Sequence, residues 1–377
     1  MKVRLCAERL RQFARDEAEV FVAFIGTRLL VCALACGAYE IFQHGEAAVL
    51  PSALPWNLFF HWDALWYARI VQHGYEYTPG AASSVAFFPL FPLALGAFRW
   101  LTGAWAPFSG FVLSNAALLG AGICLRRVAR LDYGGRVPDR AVWFLFLCPA
   151  TFFHSAGFQE SFFLLLSLGA LLQARRGRWI AAGILGALLS ACHGNGVLIL
   201  LPLAWEAWCS FSPNEFSARK ILSRGACLAL VPLGLLAFAG YLFFRFGDAL
   251  AFAHNQSVFY RELDWPWAGF PTAWSDPWPT GALQLTAAIA GIFLCGMAYR
   301  VRLRTSYQLY AIAMLLLTLS TSFLTATPRL LCEISPFYLA LALGTIGSEK
   351  YFLLALASST GVMVISLALF VCGYPMV

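Results

Sequence analysis

The sequence has few charged side chains. Its 377 residues include 26 basic and 19 acidic residues, which make 12% of the chain. A soluble domain carries about 25%, so too few polar groups are present here to cover a soluble surface. The 60% hydrophobic content also excludes intrinsic disorder. The composition therefore indicates an all-α polytopic membrane protein. We interpret the net charge of +7 as a topology signal and expect no nucleic-acid partner.

Motifs for nucleotides and metals are missing as well. The sequence contains no P-loop, no dinucleotide fingerprint and no zinc-peptidase motif. Its 11 cysteines form no Cys-x-x-Cys pair and fall mostly in apolar runs, where small packing side chains are expected. No two of its 6 histidines lie four positions apart with a carboxylate between them. We therefore expect no cofactor, while a divalent metal stays open.

Apolar segments predict a bundle of about eleven transmembrane helices, since about 20 mostly apolar residues cross the hydrocarbon core. The predicted spans lie near residues 20–42, 108–125, 141–156, 158–174, 179–192, 194–208, 225–245, 282–299, 305–324, 336–347 and 351–373. The segment 85–103 contains Pro89 and Pro92, which each remove a backbone donor, and is predicted not to cross. Six basic clusters then face the cytoplasm, as the positive-inside rule requires. They comprise the N-terminus and residues near 126–140, 175–178, 219–224, 300–304 and 350.

The chain is predicted to form one membrane domain over residues 1–377. Residues 1–19 are expected to be a cytoplasmic amphipathic segment on anionic lipid. A long first loop, 43–107, with interfacial helices, and a Trp/Pro-rich loop, 246–281, are expected on the extracytoplasmic side. The histidines and the most varied polar residues fall in or beside the outer segments. Any reaction is therefore expected on that face of a bacterial cytoplasmic membrane or, alternatively, of the endoplasmic reticulum membrane.

The stretch FFHWDALWYARI in the first loop carries the first candidate site. It surrounds Asp63 with His61, Trp62, Trp66 and Tyr67, and aromatic residues of this kind prefer the membrane interface. A carboxylate in a partly desolvated position can act as a general base. The alternative is that Asp63 only caps or solvates an interfacial helix.

Two later turns carry further candidates. GFQESFF places Glu160 at the start of a predicted span and near His154. A charge at membrane depth costs about 2.5–3.5 kcal/mol and favours a functional role, whereas capping of the helix N-terminus is the alternative. ACHGNGVL interrupts the apolar pattern with His193 and Asn195. These two residues either contact a ligand or form a short interhelical turn.

Two more outer segments contain the remaining candidate site residues. The second loop places His254 and Gln256 beside several tryptophans, whose flat rings suit either sugar faces or anchoring at the interface. TPRLLCEIS contains Arg329, whose planar guanidinium matches phosphate oxygens. Glu333 follows four residues later, so an Arg329–Glu333 helix pair is the alternative.

Together these segments resemble the PIG-V family, the second mannosyltransferases of glycosylphosphatidylinositol assembly, and especially its bacterial relatives. The resemblance is carried by WDALWYARIVQHGY, AFFPLFPLAL, FFHSAGFQESFFLLLSLGAL, ACHGNGVL, FGDALAFAHNQ and PRLLCEISPFYLALA, in family order across residues 56–342. Two positions depart from the family pattern. His193 begins a His-Gly-Asn-Gly run where relatives tend to have Arg-Pro-Asn-Gly, and Phe259 stands where a tryptophan is usual.

The resemblance implies a GT-C glycosyltransferase, which transfers a sugar, usually mannose, from a polyprenyl-phosphate donor with inversion. It implies that Asp63 is the general base or acceptor-binding carboxylate and that Glu160 is a second acidic catalytic residue. It also implies that Arg329, Gln256 and His254 face the carrier phosphate or the sugar. The implied partners are that donor, a lipid-linked or glycan acceptor, and membrane lipids. The rival prediction is a lipid or solute transporter whose polar groups line a path, although no inverted repeat is visible.

Overall fold

The computed structural model describes residues 12–13, 16–42, 55–211, 217–259 and 261–374. Its helices are α1 (Ala18–Phe42), α2 (Pro55–Leu58), α3 (Asp63–His73), α4 (Leu90–Thr102), α5 (Ala106–Asp132), α6 (Val137–Phe146), α7 (Glu160–Arg175), α8 (Trp179–Cys192), α9 (Leu200–Cys209), α10 (Ala218–Leu228), α11 (Leu233–Phe246), α12 (Ala251–His254), α13 (Gly269–Ser275), α14 (Thr280–Arg300), α15 (Thr305–Leu319), α16 (Thr327–Leu331), α17 (Pro336–Gly344) and α18 (Glu349–Val371). Four 3₁₀ turns lie at Ser84–Ala86, Thr151–His154, Gly194–Ile199 and Ser257–Phe259. Within the described ranges, β-type pairing is limited to one isolated bridge between Leu263 and Thr321. The all-α expectation is confirmed.

Within the described ranges, four helices are long and apolar enough to cross a membrane: α1, α5, α14 and α18. The pair α10 and α11 adds a fifth candidate, but its two halves are bent by 46° at the break between them. Such segments support the expected polytopic membrane protein. The predicted number of eleven spans is not confirmed.

Several predicted spans are interrupted by local breaks that an average hydropathy does not show. The segment 141–156 holds α6, which ends at Phe146, and then a 3₁₀ turn, and the segment 194–208 begins with another 3₁₀ turn. Proline and glycine lie at or near these interruptions, because neither residue favours the interior of a helix. The segment 85–103 contains the 13-residue α4, about 20 Å long and so too short to cross alone. Residues 1–11 of the predicted amphipathic segment lie outside the described residues.

Close helix packing surrounds the central helix α7, which is buried along most of its length. Next to it, α8 approaches α10 and α11 through glycines. A Cβ atom at Gly234 would lie 2.0 Å from the carbonyl oxygen of Ala187, and one at Gly183 would lie 2.2 Å from that of Cys227. Small residues at such crossings let helix backbones approach each other, as is common in membrane bundles.

Ion pairs join the predicted basic clusters at one end of the bundle. Arg175 donates to both carboxylate oxygens of Asp132 at 2.5 and 2.8 Å, and Arg304 donates to Glu206 at 2.6 and 2.8 Å. Further pairs of these clusters include Arg126–Glu17 at 3.3 Å, Arg127–Glu17 at 2.8 Å, Arg136–Glu349 at 3.0 Å and Arg140–Glu349 at 2.6 Å. Arg175 is the last residue of α7, about 22 Å along the helix from Glu160. The candidate site residue Glu160 therefore lies at the opposite end of α7.

Candidate active site

Asp63, Glu160 and Arg329 meet inside the protein. Nη1 of Arg329 donates a hydrogen bond to Oδ2 of Asp63, and its Nε lies 3.3 Å from Oε1 of Glu160. The three residues are 7%, 1% and 2% exposed, respectively. Two carboxylates thus flank one guanidinium where charge interactions are stronger than in water. We call these three residues the acid–arginine cluster.

The local backbone explains how Asp63 reaches this cluster. Trp62, which precedes the first residue of α3, has φ 44° and ψ −109°, a conformation that non-glycine residues rarely adopt and that is often found at functional sites. On the other side, a Cβ atom at Gly157 would lie 3.0 Å from the ring of Phe60 and 3.4 Å from Cβ of Ala64. Only a glycine lets the turn before Glu160 approach α3 this closely.

A second acidic group adjoins the cluster. Asn195 Nδ2 donates a hydrogen bond to Oε2 of Glu333 at 3.2 Å, and its Oδ1 contacts Nδ1 of His193. Glu333 is fully buried. The sequence alternative of an Arg329–Glu333 helix pair is not what the structure shows, because Arg329 turns to Asp63 and Glu160. Glu333 is a candidate site residue that the sequence reasoning considered only as a local helix partner.

Arg261 lies beside the acid–arginine cluster without an ion-pair partner among the described residues. It lines a cavity of about 560 Å³ together with Phe259, Gln284 and Asp276, and the carboxylate of Asp276 accepts a hydrogen bond from Gln284 at 3.0 Å and forms no ion pair with Arg261. Burial, and then the like charge of Arg329, lower the pKa of Arg261. An arginine with no acidic partner beside a cavity is suited to bind an anion.

The other predicted residues of the first loop form an aromatic wall next to Asp63. His61 packs against Trp62 and the edge of Phe370, with ring centroids 5.6 and 5.7 Å apart. Burial lowers the pKa of His61, so this imidazole is neutral at pH 7. Trp66 stacks on Phe87, and the buried Tyr67 also contacts Phe87.

The predicted residues of the second loop make local contacts. His254 Nδ1 lies 2.8 Å from Oδ2 of Asp248 on the exposed surface, and this hydrogen bond lowers the pKa of Asp248. Gln256 Nε2 donates to the carbonyl oxygen of Ala86 at 3.4 Å. The contact of Gln256 attaches the second loop to the first one, whereas that of His254 lies within the second loop. A contact of either residue with substrate stays a prediction.

His154 is fully buried, but its side chain belongs to a different group from the one predicted. Its ring nitrogens lie near the thiols of Cys148 and Cys332, while its carbonyl oxygen accepts a hydrogen bond from Ser161 at 3.0 Å. Sequence spacing could not show this group, because the two cysteines are 184 positions apart.

The fold and the cluster define a helical membrane protein with a buried acid–arginine site. The model of the family described as Mannosyltransferase (PIG-V) matches residues 42–211, a range that includes Asp63, Glu160 and Asn195. The resemblance to the PIG-V family seen in the sequence is therefore confirmed. Arg261, Arg329 and Glu333 lie outside the matched range.

Curated relatives agree with this family. The GPI alpha-1,6-mannosyltransferase 2 of Rattus norvegicus is 33% identical over 202 residues, which cover 49% of this chain and 40% of the rat protein. The protein of the same name from Homo sapiens is 36% identical over 148 residues, which cover 37% of this chain and 29% of the human protein. The chain thus matches less than half of the length of these relatives.

Two solved structures share part of this helical arrangement. ArnT from Cupriavidus metallidurans in the apo state has a TM-score of 0.48 and 14% identity, and the match covers 93% of this chain and 76% of that chain. The Archaeoglobus fulgidus oligosaccharyltransferase in the apo form has a TM-score of 0.47 and 15% identity, with 94% and 55% covered.

Proposed function

We propose that this protein is an inverting membrane mannosyltransferase that moves a sugar from a polyprenyl-phosphate donor to a hydroxyl group of a lipid-linked or glycan acceptor. The observation that carries the proposal is the acid–arginine cluster, because two carboxylates and one arginine from distant segments form a buried polar site. The PIG-V match and the curated names support the sugar and the reaction class. The extracytoplasmic face as the site of reaction follows from the positive-inside assignment.

Asp63 is the general base of the proposed reaction. Arg329 holds Oδ2 of this carboxylate, which leaves Oδ1 for the proton of the acceptor hydroxyl. As that oxygen attacks the anomeric carbon, the bond from this carbon to the carrier phosphate breaks and the proton moves to Asp63. A single displacement of this kind inverts the anomeric configuration, and a base in hydrogen-bond reach contributes about 10²–10⁴-fold to the rate.

Glu160 supplies negative charge near the reacting carbon. When both carboxylates of the cluster are ionised, their charge exceeds that of Arg329 by one unit. Glycosyl transfer passes through a transition state that resembles an oxocarbenium ion and carries positive charge. Fixed negative charge in a water-poor site stabilises such a state without reorganisation.

Arg261 is the group we assign to the carrier phosphate. Arg329 is already flanked by two carboxylates, whereas Arg261 has no described acidic partner and lines the 560 Å³ cavity. Neutralising the phosphate makes it a better leaving group. Arg329 then acts on Asp63 and Glu160 while Arg261 acts on the donor.

An apolar groove beside α3 suits the isoprenoid chain of the donor. It has a volume of about 730 Å³ and is lined by Ile70, Tyr75, Leu93, Phe238 and other apolar residues of α3, α4, α8 and α11. Ile70 lies two turns after Asp63 on the same face of α3, about 10 Å along the helix. A lipid chain in this groove would place its phosphate end towards the acid–arginine cluster.

The test is sugar transfer by purified protein in lipid nanodiscs. Radiolabelled polyprenyl-phosphate mannose is supplied with membrane lipid extracts, and the product is identified by mass spectrometry. We expect an inverted mannosyl product from wild-type protein, and about 10²–10⁴-fold slower formation of it by Asp63→Asn. Uptake of the lipid or of a solute into vesicles without any covalent product would overturn the proposal in favour of the transporter.

A further inference from the structure

Three metal-ligating side chains lie together behind the acid–arginine cluster. The Sγ atoms of Cys148 and Cys332 and a ring nitrogen of His154 all lie within 4.8 Å of one another, and all three residues are buried. They come from two segments: the stretch after α6, which carries Cys148 and the 3₁₀ turn with His154, and the residue that follows α16, which is Cys332. Their meeting is therefore a feature of the tertiary fold.

The imidazole of His154 is not satisfied by regular hydrogen bonds. Both Nδ1 and Nε2 are buried and form no hydrogen bond of regular geometry within the described part of the chain, although the thiol of Cys148 lies close enough to interact with the ring. The residue is 0% exposed. A buried polar group in this condition costs about 1–3 kcal/mol, and native proteins satisfy nearly all of them. A metal ion that accepts the lone pair of one ring nitrogen would satisfy that nitrogen.

The distance between the two sulfur atoms fits a bridging ion better than a covalent bond. Sγ of Cys148 lies 3.5 Å from Sγ of Cys332. A disulfide requires about 2.05 Å. Two thiolates on one tetrahedral zinc ion, with Zn–S bonds of about 2.3 Å, lie about 3.8 Å apart.

We propose that Cys148, His154 and Cys332 bind one thiophilic metal ion, with Zn²⁺ as the ion that the ligand set favours. Two thiolates cancel the charge of a divalent ion, so the complex with neutral His154 is uncharged, as a buried position requires. Binding releases the two thiol protons. A Cys₂His set leaves one of four positions open, and a cavity of about 230 Å³ that is lined by Cys148, Cys332 and Tyr338 gives room for a water molecule there.

The ion would fix the segment that carries Arg329. The backbone N–H of Cys332 donates to the carbonyl oxygen of Arg329 at 3.1 Å, so both residues belong to one turn. Cys148 and His154 belong to the stretch that leads to Glu160. The ion therefore joins the two segments that present Arg329 and Glu160 to each other, and it is a positioning element that does not touch the substrate.

The experiment measures metal content in wild-type protein and three variants: Cys148→Ser, Cys332→Ser and His154→Gln. The control is Cys295→Ser, which removes a partly buried thiol in α14 away from the group. All proteins are expressed with added zinc and purified without chelator, and their zinc content is measured by inductively coupled plasma mass spectrometry. We expect one zinc ion per chain in wild type and control, and at least about tenfold weaker retention in the three variants.

A second measurement uses wild-type protein alone, in case the variants fail to fold. Chelator-treated protein is titrated with Co²⁺, and we expect one equivalent to produce thiolate-to-cobalt charge-transfer absorption and to raise the Tm. Equal zinc content in wild-type protein and the folded double variant Cys148→Ser/Cys332→Ser would overturn the proposal. A Cys148–Cys332 disulfide in non-reduced peptides of the native protein would do so as well, and so would the absence of cobalt uptake. None of these outcomes depends on sugar transfer.

Discussion

Arg329 donates a hydrogen bond to Asp63 across 266 positions of the sequence. The pair joins the turn at α16 to the N-terminus of α3, and the contact with Glu160 adds the start of α7. Because these elements carry little other polar contact with one another, the guanidinium is the link that holds two carboxylates together. Removal of the Arg329 side chain should therefore lower both the free energy of unfolding and the rate of sugar transfer.

Arg329→Ala is expected to lower the free energy of unfolding by about 3–5 kcal/mol, since it leaves two buried carboxylates without a countercharge. Arg329→Lys should restore most of the stability but keep transfer reduced by about 10²-fold, because an ammonium group cannot contact both carboxylates in the same geometry. Thermal unfolding in detergent and transfer rates give the two readouts. Arg69→Ala is the control, since its pair with Glu76 is exposed and worth about 0–1 kcal/mol; equal losses in both variants would contradict the assignment.

Asp63→Asn and Glu160→Gln separate the base from the charge-stabilising group. An amide cannot accept the hydroxyl proton, so Asp63→Asn should lower kcat by about 10²–10⁴-fold. Glu160→Gln should lower kcat less and leave the pH profile unchanged, because its carboxylate does not receive the proton. Glu19→Gln, at an exposed position in the first turn of α1, is the control and should retain wild-type activity. Equal residual activity of the Asp63 and Glu160 variants would show that Asp63 has no special role.

The hydropathy predicted the fold class, and the isolated polar residues predicted part of the candidate site. The all-α class follows from long apolar runs, and Asp63, Glu160 and Arg329 were found because a charge stands out in an apolar segment. The bounds of some helices were wrong, since a window average does not register a break such as the one after Phe146, whereas the predicted span 179–192 coincides with α8. The end of α6 is set by the few residues around it, whereas the prediction used the mean hydropathy of the whole segment 141–156.

The sequence could not predict which residues the site residues contact. Arg329 and Glu333 are four positions apart, and helix geometry made a pair between them the natural local alternative. Their actual contacts, with Asp63 and Asn195, depend on how distant segments pack. The contact between Cys148 and Cys332 also depends on how distant segments pack. The sequence could not predict it, since each cysteine alone is typical of an apolar helix.

Arg261→Gln is expected to raise KM for the lipid-phosphate donor by about tenfold or more, because it removes one charge-assisted hydrogen bond to the phosphate. Stability should change little, because Arg261 has no ion pair to lose among the described residues. Initial rates at varied donor concentration measure this effect. The matched control is Arg245→Gln, which removes an exposed arginine at the end of α11. An unchanged KM with a lowered kcat would place Arg261 in the chemical step instead of donor binding.

The pair of His254 and Asp248 should make a small, pH-dependent contribution to stability. The hydrogen bond from His254 lowers the pKa of Asp248, so the contribution is complete above the ordinary Asp pKa of about 3.9 and is lost as the pH falls through the lowered value. His254→Ala should therefore lower the Tm at pH 5 to 6, with the difference from wild type vanishing in acid. His73→Ala, at another exposed histidine, is the control and should show no such convergence. A Tm difference that grows towards low pH would contradict the sign of this shift.

Gly157→Ala tests whether the close approach of α3 to the turn before Glu160 builds the site. The added methyl group would lie 3.0–3.1 Å from the ring of Phe60, and overpacking of this kind costs about 1–3 kcal/mol. Because the ring cannot move without shifting the residues next to Asp63, transfer should fall more than the loss of folded protein explains. Gly134→Ala is the control, since nothing lies within 4 Å of its added Cβ. If the double variant Gly157→Ala/Phe60→Leu recovers transfer, the contact itself is responsible; if Gly157→Ala has wild-type rates, the approach does not position Asp63.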